Sequence, residues 1–133
     1  MAAEQDTRTR VRRVEKALRE ELASMLAHEV KDPGAAGAIV TRVEITNDLR
    51  SAKVHVRVLE GGDDPARRLA VVAGLARATG MLRREVTQRL QLRTAPELHF
   101  VYDDGLDNTT RVEQLLAEIE QERKPKPGGR GRE

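Results

Sequence analysis

The chain has 133 residues, a length that suits one domain with a core large enough to stand without staples. Cysteine is absent, which excludes disulfides, thiolate metal sites and cysteine nucleophiles together, and no apolar run approaches the roughly 20 residues of a membrane span. Net charge is only +2 but is unevenly spread: residues 8–93 carry eighteen Lys or Arg against eleven acids, residues 97–122 one Arg against eight, and the last eleven residues five basic groups against one acid. A basic body of this kind is the electrostatic footprint of a nucleic-acid binder. Phe100 and Tyr102 are the only aromatics, which argues against folds that stack several bases on exposed rings. Met1 to Asp6 has no basic end followed by an apolar stretch, so no secretory signal is read and a cytoplasmic protein is expected.

After a flexible start over residues 1–6, a first helix is predicted from about Thr7 to about Glu29, capped by Asp6 or Thr7. Val11, Val14, Leu18, Leu22, Met25 and Leu26 form one apolar stripe at helical spacing. Arg8, Arg12, Lys16 and Arg19 share a flank of that stripe, in the half of the helix where the dipole disfavours cations. Phosphate contact would explain them, and so would a solvated face paired with Glu15 and Glu20. Lys31-Asp32-Pro33-Gly34 stops the helix, and small residues run on to Ala38. Ile39, Thr41, Val43 and Ile45 then alternate with Val40, Arg42 and Glu44, and Ala52, Val54, Val56 and Val58 with Lys53, His55 and Arg57. These are strands with one buried face. The short Asn47-Asp48 turn makes them an antiparallel hairpin, with Lys53, His55 and Arg57 on its exposed side.

Gly61-Gly62-Asp63-Asp64-Pro65 reads as a helix start, with Asp64 as cap and Pro65 in the first helical position. Leu69, Val72, Ala73 and Ala76 are the predicted inner stripe of a helix ending near Ala78. A second helix follows Gly80, with Leu82, Val86 and Leu90 inward. The joint Ala78-Thr79-Gly80 is edged by Arg77, Arg83 and Arg84. Small residues there admit a close polymer backbone, and Gly80 permits angles other residues resist. The start of the second helix offers N–H groups and a positive dipole end to an anion. Glu97 to Tyr102 is a third strand. Asp103 to Asp107 turns into a last helix with Val112, Leu115, Leu116 and Ile119 on a narrow stripe, which closes the domain at about residue 122. Residues 123–133 are a basic, disordered tail.

Helices and strands are not regularly interleaved, so the class is α+β. The order resembles the type II, bacterial, K-homology fold: a three-stranded sheet packed by helices on one face, and two helices meeting at a loop that clamps a nucleic-acid backbone. That module carries Gly-x-x-Gly at the junction and grips about four nucleotides; here Ala78-Thr79-Gly80 stands instead. The shortened Ala-x-Gly joint resembles the ribosome-binding factor A family. So do Arg10-Val11-Arg12-Arg13-Val14, Lys31-Asp32-Pro33, Val40-Thr41-Arg42-Val43, Asn47 to Val54, Leu92 to Phe100 and Arg111 to Leu116, covering roughly residues 7–120. Two positions depart from that pattern: Gly34, where the family often has a basic residue, and Gly105, where a serine is expected.

The resemblance implies a non-catalytic maturation factor without cofactor. It would associate with the free 30S ribosomal subunit and assist late assembly and maturation of precursor 16S rRNA in its 5′ region, with most consequence in the cold. A ribosome-associated GTPase is the expected kind of partner for release, and no long apolar seam points to a dimer. The candidate RNA contacts are Arg77, Ala78, Thr79, Gly80, Arg83 and Arg84 at the joint, Arg8, Arg12, Lys16 and Arg19 on the first helix, and Lys53 and Arg57 on the sheet. Two other readings are a generic K-homology adaptor for messenger RNA or protein, and a small ribonuclease using His28, His55 and His99. No pair of these histidines has the spacing of a metal motif, and no nucleotide-binding glycine loop is present.

Overall fold

A computed structural model of the chain describes residues 2–105 together with 116, 117, 119 and 120. The chain divides into two units, Met1–Asp103 and Asp104–Glu133. In the first, helix α1 (Ala2–His28) is followed by a short 3-10 turn (Pro33–Ala35), strands β1 (Ala38–Ile45) and β2 (Ser51–Val58), helices α2 (Pro65–Arg77) and α3 (Thr79–Arg89), and strand β3 (Glu97–Tyr102). In the second unit residues 116, 117, 119 and 120 are helical; the rest of the expected last helix, and the basic tail, lie outside the described residues.

The sheet order is β1-β2-β3, with β2 in the centre. β1 pairs antiparallel to β2, Val43 opposite Val54 and Ile45 opposite Ala52, while β3 pairs parallel to β2, Val54 opposite Phe100. A parallel partner requires a crossover, and α2 and α3 supply it. One sheet face buries Val43, Ile45, Ala52, Val54, Val56, Leu98 and Phe100. The helices cover this face: α1 lies on β1, and α2 on β2 and β3. From α1 the core receives Val11, Leu18, Leu22, Met25 and Leu26, and from α3 Leu82 and Val86. α1 begins at Ala2, so Asp6 and Thr7 lie inside the helix rather than capping it.

Three expectations are corrected. The inner stripe of α2 is Val71, Gly74 and Leu75, whereas Leu69 is 74% exposed and Ala73 and Ala76 face solvent. The helix is so rich in Ala, Val and Leu that two stripes satisfy the period, and close packing at a glycine chooses between them. A Cβ on Gly74 would come within 2.8 Å of the Ala35 amide nitrogen, so α2 rests backbone against backbone on the 3-10 turn. Second, Ile39 is exposed although Val43 and Ile45 are buried. The pairing register slips between Val40 and Arg42, and a bulge of one residue reverses which side points inward. Third, His55 is buried on the outer sheet face rather than exposed beside Lys53 and Arg57. Its Nε2 lies 3.0 Å from Glu44 Oε1 and 3.4 Å from Arg42 Nη2. Side chains on the neighbouring strand β1 shield it.

Candidate nucleic-acid interface

The helix joint is a break of one residue. Ala78 has φ −88° and ψ 0°, its N–H donates to Gly74 O and Leu75 O, and its own carbonyl accepts from Leu82 N–H at 3.0 Å. The Thr79 hydroxyl donates to Leu75 O at 3.1 Å. α3 opens with no side-chain cap. Gly80 is exposed, and a Cβ built on it would meet nothing within 4 Å. The glycines with positive φ among the described residues are Gly37, Gly61 and Gly105. The backbone therefore does not require glycine at position 80, contrary to the conformational argument from sequence. Nothing within the first unit needs that space either.

The three arginines of the joint have different occupations. Arg77 forms a two-pronged pair with Asp32, Nε to Oδ2 at 2.7 Å and Nη2 to Oδ1 at 2.9 Å. The hydrogen bonds from Arg77, helped by the Gly34 amide, hold the Asp32 carboxyl down to about 2. Arg83 is half-buried and donates to the carbonyls of Pro96 (Nε, 2.9 Å) and Ala95 (Nη2, 3.1 Å). It braces the α3–β3 connection. Arg84 is exposed, and no carboxylate engages it among the described residues. Gly80, Arg83, Arg84, Gln88, Leu92 and Ala95 line an open groove of about 710 Å³ along α3.

Gln91 and Leu92 also belong to a second hollow, of about 510 Å³, which continues the groove. It brings together Arg10 of α1, Arg50 of the β1–β2 turn and Arg93 of the α3–β3 connection. Sequence reasoning missed this cluster. Three separate segments supply one arginine each, and only the closed fold makes them neighbours. The one available signal was that Arg50 and Arg93 each fall in a connection, where binding residues concentrate.

The other expected contacts lie elsewhere. Arg8, Arg12, Lys16 and Arg19 are exposed along one flank of α1. Glu15, between that flank and the core, accepts the Ile45 N–H at 2.9 Å, so the flank faces the β1 edge. Arg10 points roughly 160° away around the helix, toward the second hollow. Lys53 and Arg57 are exposed on the outer sheet face. Arg89 ties α3 to α1 through Glu21 at 3.2 Å and to Glu29, just past the end of α1, at 2.6 Å; the hydrogen bond from Arg89 lowers Glu29 below its ordinary range. Gly34 has no room for a side chain, because a Cβ there would lie 2.9 Å from Ala70 O.

The histidines do not gather. His28 donates to Ser24 O within α1, His55 is enclosed, and His99 sits exposed 3.4 Å from Glu97. Among the described residues no group of three or more His, Asp or Glu is placed to hold a metal ion.

Fold and surface together define an α+β domain with an open, arginine-edged helix joint. The family model for ribosome-binding factor A matches residues 10–116, and the chain belongs to that family. It is 50% identical over 110 residues to ribosome-binding factor A of Sorangium cellulosum, covering 83% of this chain and 88% of that one. With the Geobacter sulfurreducens protein of the same name it shares 41% over 114 residues, 86% and 94% of the two chains. Among solved structures, the crystal structure of ribosome-binding factor A from Thermus thermophilus superposes with a TM-score of 0.51 at 23% identity, over 66% of this chain and 93% of that one, which shows the shared fold. The solution structure of a Thermotoga maritima protein gives the same TM-score at 30% identity, over 74% and 88%.

Proposed function

We propose that this protein binds the free small ribosomal subunit and assists its late assembly, including maturation of the 16S rRNA precursor in its 5′ region, by binding energy alone. The observation that carries this reading is Gly80, exposed beside Arg84 and the Arg83 brace, at a position where the fold itself has no use for a glycine. Open space at an arginine-edged joint is what a nucleic-acid backbone requires for close approach. Membership of the ribosome-binding factor A family supports the choice of partner.

A factor of this kind acts by preferring one rRNA conformer, because a binder with equal affinity for two conformers shifts nothing. Misfolded pairings persist longer in the cold, where such a preference counts most. Arg84 and the first turn of α3 contact phosphates at the joint, and the flank of Arg8, Arg12, Lys16 and Arg19 adds a second basic surface. The protein makes and breaks no bond, and its release falls to an energy-using partner such as a GTPase. The test is sedimentation of the purified protein with free small subunits, complete ribosomes and precursor rRNA. It should follow the free small subunit and leave naked precursor uncut. Migration with complete ribosomes only, or cleavage of the precursor, would overturn the proposal.

A further inference from the structure

We infer that the hollow between α1, the β1–β2 turn and the α3–β3 connection is a binding site for a single unstacked nucleotide of an RNA strand, its phosphate held by Arg10, Arg50 and Arg93. The inference rests on the rRNA-binding reading but not on the helix joint. Three observations carry it.

The first is charge. Arg10, Arg50 and Arg93 line a hollow of about 510 Å³, none of them forms a close ion pair among the described residues, and the Arg50 charge is felt by Asp48 only at longer range. Asp48 is the one acid in the lining, and its Oδ1 is already spent. It accepts the Thr46 hydroxyl at 2.7 Å and the Arg50 N–H at 3.1 Å, and the Thr46 bond holds it below the ordinary carboxylate range.

The second is backbone strain. Among the described residues the non-glycine positions with positive φ are Leu49 (62°) and Gln91 (54°), and both line this hollow. Left-handed backbone is costly for a side chain such as leucine, and strain of this kind collects at ligand sites. Here the two left-handed residues come from unrelated connections and meet at one hollow. The turn is also anchored, since Glu97 N–H donates to Arg50 O at 2.8 Å.

The third is the lining. Val14, Leu49 and Leu92 are half-buried and give the otherwise polar hollow one apolar wall. A base needs a flat, dry surface, and with no exposed ring available the wall and the guanidinium planes provide it. An acidic peptide would satisfy the arginines but would leave the apolar wall wet, and a duplex would not present a base to it. The hollow shares Gln91 and Leu92 with the groove along α3, so one strand can pass from Gly80 to Arg50.

The experiment is an NMR titration of the full chain, observing backbone amides and arginine Nε–H groups. The probes are a single-stranded RNA hexamer, the same hexamer annealed to its complement, and hexaglutamate. The single strand should shift Leu49, Gln91, Leu92 and the Arg50 and Arg93 side chains. Arg50→Ala with Arg93→Ala should weaken its binding at least tenfold and lower the slope of log K against log salt by about 0.7, the share of the one single-strand phosphate that loses its seat. Both side chains are exposed, so the double variant should melt like the parent. Arg50→Lys with Arg93→Lys, which keeps charge and removes the planes, should fall between the two. Equal shifts from the duplex or from hexaglutamate, or unchanged binding by the alanine variant, would overturn the inference. Sedimentation with the small subunit separates the two claims: if the parent still follows the subunit while the hexamer ignores the hollow, only this inference falls.

Discussion

Two glycines six positions apart should respond to alanine in opposite directions. At Gly74 a Cβ would lie 2.8 Å from Ala35 N, 3.0 Å from Gly34 C and 3.1 Å from Asp32 Oδ1. The first two are backbone atoms of a turn held by Ala35 N–H to Asp32 O, by Gly34 N–H to Asp32 Oδ1, and by the Arg67 guanidinium on the carbonyls of Gly34 and Ala36. The turn cannot yield alone, so α2 must shift outward, loosening the Arg77–Asp32 pair and the packing of Leu75. Overpacking of this kind costs about 1–3 kcal/mol, offset by the roughly 1 kcal/mol that alanine gains over glycine in a helix. The net loss is up to about 2 kcal/mol, a fall in Tm of up to roughly 8 °C for a domain of this size. At Gly80 a Cβ meets nothing, so only the helix-propensity gain remains, about 0.5 kcal/mol near a helix start and a rise of roughly 2 °C. Thermal unfolding followed by circular dichroism decides both. A Gly74→Ala protein that melts at or above the parent, or a Gly80→Ala protein that melts clearly below it, would refute the packing argument.

Gly80→Ala should bind the small subunit more weakly although it is more stable, a split that sedimentation at several salt concentrations would reveal; undiminished binding would deny the glycine any role in contact. Arg84→Ala should leave Tm unchanged and lower the salt slope of subunit binding by about 0.7–0.9, and an unaltered slope counts against a phosphate contact. Arg83→Ala should lose about 1–3 kcal/mol of stability, because two charge-assisted hydrogen bonds to the Ala95 and Pro96 carbonyls disappear; an unchanged melting curve contradicts the bracing role. Asp32 is held down to about 2 by Arg77. Its folded value lies below its unfolded one, so the stability it lends is present above about pH 4 and is lost as pH falls toward 2. Asp32→Asn should therefore narrow the Tm difference between pH 5 and pH 2.5, and equal differences in the two proteins would refute the assignment.

Local chemistry was legible in the sequence wherever one signal had one solution. The Asp64 cap before Pro65 is made as read, with Asp64 Oδ1 accepting Ala66 N–H at 3.0 Å, and β3 has the bounds its alternation gives. Leu82 and Val86 face inward because α3 offers a single apolar stripe. α2 offers two, and the choice fell to Gly74, a residue that hydrophobic periodicity does not count. Ile39 misled because a bulge changes phase without changing composition. His55 misled because shielding on an outer sheet face comes from Arg42 and Glu44 on the neighbouring strand. At the interface, the joint could be found because its residues are contiguous. Arg10, Arg50 and Arg93 could not, since their meeting depends on how two connections close against α1.

The parallel pairing of β3 with β2 has a consequence during synthesis. α1 and the β1–β2 hairpin are complete once Val58 has emerged, yet the far edge of β2 finds its partner only when Tyr102 follows. At elongation rates of about 5–20 residues per second, the bare amides and carbonyls of a valine-rich strand wait roughly 2–9 seconds. An unprotected edge of that sort invites pairing with other chains. The nascent protein therefore passes through an aggregation-sensitive interval whose length is set by the translation speed of the two crossover helices, and slow codons within them would lengthen it.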